Sequence, residues 1–325
     1  MPLIHHLRKD SGQAFLKVQP FQVSKNDSSA FIRARITVMD HFGTQLFQRM
    51  PSGCVRKSSA KIITQRARWL VGCAMPKTRV SSGVSGLDKI LGGGYIQGRT
   101  ALLAGGPGTG KSILSWHFLL DGISKGEHGV LLTLDQSSEN IQDDMTDFGW
   151  DSRGAVKSKS LTILSGSMTL VPVEKGYEYV IGFDHPLLKE QPFTVARLAS
   201  LVKQKAAETG AVRLVVDGLG PLLEVAGNRF EVRQTVYSFM REIITKNTTA
   251  LLTHELKTGQ DARSNEMPFF ICDTVVKLDM VYSGGDFVRT MRVIKMRGSS
   301  HVMRPIIFKI GADGIVAFPD ARLPD

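Results

Sequence analysis

Eight consecutive residues, Gly105-Gly106-Pro107-Gly108-Thr109-Gly110-Lys111-Ser112, constrain this chain more than any others. They fit the pattern G-x-x-x-x-G-K-[ST], and their surroundings are those the pattern requires. The apolar run Thr100-Ala101-Leu102-Leu103-Ala104 before them reads as a buried strand. After them, Lys111 to Ile123 has helical spacing, with Ile113, Leu114, His117, Phe118 and Leu120 as candidates for the inner stripe. A glycine-rich turn between strand and helix lets successive backbone N–H groups point at one anion, and the helix N-terminus adds a favourable field. The expected ligand is ATP, cradled by Gly106, Pro107, Gly108, Thr109 and Gly110. Lys111 is predicted to reach the β- and γ-phosphates, and the Ser112 hydroxyl to bind Mg²⁺.

The chain beyond this motif alternates strand and helix. Val130–Leu134, Leu161–Leu164, Arg213–Asp217 and Thr249–Thr253 read as strands. Helices are predicted over Phe193–Glu208 and Phe230–Lys246, and after Ser137 or Ser138, either of which suits an N-cap. From Ile271 the pattern changes to strands only, around Ile271–Leu278, Val288–Met296 and Pro305–Phe318. Alternating β and α implies an α/β fold with a mainly parallel twisted sheet and helices on both faces. The closing strands should extend that sheet in antiparallel fashion. No internal repeat is visible, so residues 75–325 form one domain. A Mg²⁺ site needs a second oxygen ligand, and Asp217, ending the apolar run Leu214-Val215-Val216, meets that need.

Charge is distributed unevenly. The whole chain carries +11, but residues 1–74 hold 12 Lys/Arg against 3 Asp/Glu, whereas residues 75–325 hold 29 against 27. The basic character therefore belongs to the leader, and the nearly neutral domain does not by itself read as a nucleic-acid binder. The leader has no Glu and no sustained period of two or 3.6, which suits a disordered segment. Three readings stay open for it: a misassigned start ahead of Met75, a functional basic arm, or a targeting peptide. No run of about 18 apolar residues suggests a membrane span. Cys54, Cys73 and Cys272 form no C-x-x-C pair, so neither a zinc site nor a disulfide framework is expected. A reducing cytoplasm is the default location.

Four stretches resemble the KaiC-type branch of the RecA/RadA superfamily. They are Ser82-Gly83-Val84-Ser85-Gly86-Leu87-Asp88-Lys89-Ile90-Leu91-Gly92-Gly93-Gly94, the phosphate loop, Phe148-Gly149-Trp150-Asp151, and Lys295-Met296-Arg297-Gly298-Ser299-Ser300-His301. The resemblance spans residues 75–325 and implies a RecA-like P-loop NTPase core. It implies a homo-oligomeric ring, a hexamer, with ATP between neighbouring subunits. Lys295 and Arg297 would then reach the next subunit's phosphates, with His301 near that nucleotide. Such cations, delivered in trans, stabilise charge developing on the γ-phosphate. The resemblance also places a water-orienting carboxylate at Asp135. The family commonly has two consecutive Glu there, where this chain has Asp135-Gln136, and Asp is one methylene shorter. The family includes a circadian-clock ATPase whose autophosphorylated domain carries adjacent Ser and Thr shortly before an Asp-Thr pair; here Phe269-Phe270 precede Ile271-Cys272-Asp273-Thr274, so clock-type autophosphorylation is not expected.

Three functions fit this pattern. The first is an ATP-hydrolysing assembly whose nucleotide state controls a protein partner in signalling or regulation. The second is a DNA-binding recombination or repair ATPase, for which His254–Phe270 would supply the loop. There Lys257, Gln260 and Arg263 are balanced by Glu255, Asp261 and Glu266. The third is a binding module that holds ATP with little turnover.

Overall fold

The computed structural model describes residues 4–7, 14–20, 34–39, 45–46, 77–173, 176–183, 191–192, 194–224, 229–256 and 267–322. The chain forms two units, residues 1–76 and 77–325. The first, taken alone, holds strands β1 (Ile4–Leu7), β2 (Ala14–Pro20), β3 (Ala34–Met39) and β4 (Gln45–Leu46), paired antiparallel in that order. The sequence shows no period that marks these strands. Cys54 and Cys73 lie outside the described residues.

The second unit is built on an 11-stranded sheet. Its centre is β9 (Leu161–Val173), β8 (Gly129–Thr133), β12 (Arg213–Asp217), β13 (Thr249–Glu255), β7 (Thr100–Gly105) and β14 (Thr274–Ser283), in that spatial order and all parallel. Short β5 (Arg79–Val80) and β6 (Tyr95–Ile96) pair apart from it. Strands β15 (Asp286–Met296), β16 (Ile306–Gly311) and β17 (Gly314–Phe318) continue it antiparallel, as expected from the closing run of strands. The predicted single strand Pro305–Phe318 is a hairpin. At the other edge the short run Leu161–Leu164 grows into all of β9, which folds back on β10 (Gly176–Phe183), followed by β11 (Gln191–Pro192).

Helices cover both faces. They are α1 (Ser85–Leu91), α2 (Lys111–Ser124), α3 (Ser138–Asp147), α4 (Ser152–Lys157), α5 (Val195–Thr209), α6 (Gly220–Glu224), α7 (Arg229–Ile243) and α8 (Met267–Ile271). Strand side chains alternate between faces. Ala101, Leu103, Leu131, Val215 and Leu251 join one core with Leu114, Trp116 and Phe118 of α2. Leu102, Ala104, Leu132, Leu214, Val216 and Leu252 join a second with Leu198 and Val202 of α5 and Val236 and Phe239 of α7. Because β7, β8, β12 and β13 are buried on both faces, these strands read as continuous apolar runs rather than alternating ones.

The inner face of α2 differs from the predicted stripe. Trp116 and Leu119 are fully buried, while Ile113, His117 and Leu120 are only partly so. His117 Nε2 accepts the Ile315 N–H at 2.7 Å, and its ring meets the Trp150 ring edge-on. Burial pushes the His117 imidazole down to about 4. At the far end of α2, the fully buried Arg213 guanidinium bridges Asp121 (2.8 Å) and Glu127 (2.5 Å). It also donates to the carbonyls of Phe118 and Ser81. This network pins the end of the helix to the first residue of β12.

Candidate active site

Parallel strands with closely matched registers end at one edge. Gly105 of β7 stands opposite Glu255 of β13, and Asp217 of β12 opposite Thr133 of β8. At strand spacings of about 4.8 Å, the chain segments leaving this edge converge within a few residues of one another. They open onto a cleft of about 1190 Å³ that Lys111, Ser112, Asp135, Asp217 and Glu255 all line.

The phosphate loop forms the cleft's floor. Gly110 is the N-cap of α2 in the left-handed region, with φ +93, a conformation a side chain would disfavour. No side chain caps this helix, and its first turn has no acid. Three helices elsewhere are capped by their own side chains: Ser137 for α3, Asp151 for α4 and Thr194 for α5. The first N–H groups of α2 therefore lack side-chain acceptors, in a field that favours an anion. The Thr109 hydroxyl donates to the Gly106 carbonyl at 2.8 Å, holding the loop closed on itself. Lys111 Nζ donates to the carbonyls of Gly105 (3.0 Å) and Gly106 (2.8 Å). Burial lowers its proton affinity, and Glu255 and then Asp217 oppose that shift. The ammonium is thus held over the loop where phosphate oxygens would take over from the two carbonyls.

Asp217 is oriented by its neighbour strand. Thr253 Oγ1 donates to Asp217 Oδ1 at 2.6 Å and accepts the Gly218 N–H at 2.7 Å. Asp217 and Ser112 face the same cleft as two oxygen donors, which suits Mg²⁺, a hard cation that keeps most of its other positions for phosphate and water. Asp135 also lines the cleft but does not cap the following helix, a role taken by Ser137 through the Asn140 N–H at 3.2 Å. Its carboxylate lies against Gly218, where an added Cβ would overlap Asp135 Oδ2. Gly218 also has φ +91, so both space and backbone call for glycine.

Lys295, Arg297 and His301 do not line this cleft. Antiparallel pairing explains why. Strand β15 begins near the loop, where Arg289 lines the cleft and its Nε donates to the Gly108 carbonyl at 3.4 Å. It then runs away, so that Met296 pairs with Thr274, beside Ala101 at the amino end of β7. Four residues of strand separate that row from Gly105, or roughly 13 Å. There Lys295 Nζ donates to the Phe269 carbonyl at 2.6 Å, and Arg297 Nη2 to the Phe270 carbonyl at 2.7 Å. The Nδ1 of His301 is buried without a hydrogen-bond partner. Lys257, Gln260, Asp261, Arg263 and Glu266, the loop considered for nucleic acid, lie outside the described residues.

Sequence reasoning missed Gly218, Thr253 and Arg289, and weighed Glu255 only as a charge in a loop. The carboxyl end of β13 was the available signal, because strand ends beside a phosphate loop face its ligand.

A family model described as KaiC ATPase matches residues 80–322. A UPF0273 protein of Aeropyrum pernix is 30% identical over 243 residues, covering 74% of this chain and 94% of that protein. The circadian clock oscillator protein KaiC of Parasynechococcus marenigrum is 28% identical over 248 residues, covering 75% of this chain and 46% of its own length. The crystal structure of a KaiC-like protein from Pyrococcus horikoshii superposes with a TM-score of 0.61 at 26% identity, covering 75% of this chain and all of that one. Among the described residues no helix is long and apolar enough to cross a membrane.

Proposed function

The chain belongs to the KaiC family of ATPases, and from that premise we propose that residues 77–325 bind and hydrolyse Mg-ATP within a homo-oligomeric ring. The nucleotide state of that ring would control a protein partner in signalling or regulation. The observation that carries this reading is the uncapped N-terminus of α2, opening with Lys111 into the same cleft as Asp217 and Asp135.

In this mechanism the loop N–H groups and Lys111 hold the β- and γ-phosphates. Ser112 and Asp217 would hold Mg²⁺, with the Asp217 carboxylate fixed by the hydrogen bond from Thr253. When bound, such a cation would neutralise phosphate charge. Asp135 orients the attacking water, with Gly218 leaving room for its carboxylate. Lys295, near the end of β15, and Arg297, just past it, would act on the neighbouring subunit's nucleotide, a role that their separation of roughly 13 Å from the row of their own loop supports.

Mixing two inactive variants tests the shared site. Arg297→Ala keeps an intact loop, and Lys111→Ala keeps an intact arginine. Each alone is expected to release little phosphate from ATP, and Arg297→Ala should still bind ATP in its own loop. Co-assembled, some interfaces pair a good loop with a good arginine, and activity should partly return. Mixed assemblies no more active than the separate variants would refute the trans role.

A further inference from the structure

Among the described residues three carboxylates line the cleft, and Glu255 alone of them has no hydrogen bond or ion pair to another described residue. Asp217 accepts a hydrogen bond from Thr253. Asp135 is packed against Gly218 on the loop after β8, three strands away from β7. Glu255 ends β13, the strand adjacent to β7, and stands in register with Gly105, the first residue of the phosphate loop. The Leu256 N–H donates to the Gly105 carbonyl at 3.0 Å, fixing the backbone beside the loop. The Glu255 side chain is exposed to the cleft and makes no hydrogen bond or ion pair with a described residue. It is nonetheless the foremost negative charge acting on Lys111, ahead of Asp217.

Resting on the ATPase reading above, we infer that Glu255 is a catalytic residue, the carboxylate that accepts the proton of the attacking water. The water oxygen forms the new bond to the γ-phosphorus, and the bond from that phosphorus to the β,γ-bridging oxygen breaks. ADP leaves with that electron pair, and the water's proton passes to the Glu255 carboxylate. From there it returns to solvent or to the released phosphate.

Position and reach favour Glu255 over Asp135 for this step. It lies one strand from the loop, and its side chain is one methylene longer. Lys111, which lines the same cleft and feels the Glu255 charge, would offset repulsion between the carboxylate and the phosphates. Asp135 then orients the water from the far side, and the pair shares work that a single long carboxylate would otherwise do alone.

The test is Glu255→Gln in the full chain, which removes the proton acceptor and keeps the shape. Phosphate release from Mg-ATP at saturation should fall about a hundredfold, the usual contribution of a general base. ATP affinity by calorimetry should stay within about threefold of the parent or tighten, as expected when a charge beside a phosphate is removed. Because the side chain is exposed, the melting temperature should not change. Glu255→Asp, which withdraws the carboxylate by one methylene, should fall between the two. Unchanged turnover in Glu255→Gln would overturn the inference. So would parallel loss of affinity and rate, which would make Glu255 a support for Lys111 instead. Absence of phosphate release by the parent protein, with ATP bound, would instead refute the ATPase reading itself.

Discussion

Gly218→Ala puts one methyl group into the tightest part of the cleft. Two costs follow from the structure. At φ +91 the backbone is in a region that an L side chain enters at about 1–2 kcal/mol. The new Cβ also overlaps Asp135 Oδ2, so the carboxylate must retreat on the order of 1 Å to reach ordinary contact distance. Together the expected loss of stability is about 1–3 kcal/mol. For a domain of this size that lowers the melting temperature by roughly 2–4 °C per kcal/mol. The functional effect should be larger, since a displacement of about 1 Å at a catalytic group can cost about a hundredfold in rate. Steady-state phosphate release at saturating Mg-ATP measures that loss, and urea unfolding measures the stability. A double-mutant cycle separates the two costs. In an Asp135→Ala background the overlap vanishes, so Gly218→Ala should cost only its backbone share and leave the residual rate unchanged. Equal penalties in both backgrounds, or normal turnover in the single variant, would refute the packing of Asp135 against Gly218 as the cause.

Lys111→Ala should abolish or greatly weaken ATP binding by calorimetry, because a phosphate-facing cation is lost; unchanged affinity would place the nucleotide elsewhere. Asp135→Asn should lower turnover, while Asp135→Glu should raise it or leave it unchanged; equal rates for Asp135→Asn and the parent would remove Asp135 from the reaction. Arg213→Met takes the cation from Glu127 while Asp121 keeps Lys125, and should cost about 1–3 kcal/mol in urea unfolding. The folded His117 imidazole takes a proton only at about 4, against 6.5 unfolded, so between those values the unfolded chain binds more protons. Stability should therefore be lost as pH falls from 6.5 toward 4, and His117→Gln should remove that component of the pH-dependent melting temperature.

The alternation of strands and helices, the antiparallel close of the sheet and the phosphate loop were legible because each depends on neighbours in the chain. A P-loop presents its N–H groups, its lysine and its hydroxyl from one short stretch, so its chemistry needs no tertiary partner to be recognised. The position of Asp217 was legible for a related reason: the apolar run before it marks a buried strand that ends beside the loop. Trp116 was not foreseen because helix α2 lies against the central strands and also against β17, so its buried arc exceeds a simple stripe. The antiparallel hairpin β9–β10 escaped because an isolated apolar quartet does not reveal how far a strand continues at a sheet edge.

Only the tertiary structure decided which distant residues meet. Glu255 reaches the loop because β13 lies next to β7, an adjacency no local pattern encodes. Gly218 is required by a carboxylate more than eighty positions earlier in the chain. Arg289 lies on β15 and Arg297 just past its end, yet the antiparallel register sets the first at the loop and the second at the opposite edge. Backbone pairing runs strand directions against each other over the full length of β14 and β15, and that geometry separates what the sequence places eight residues apart.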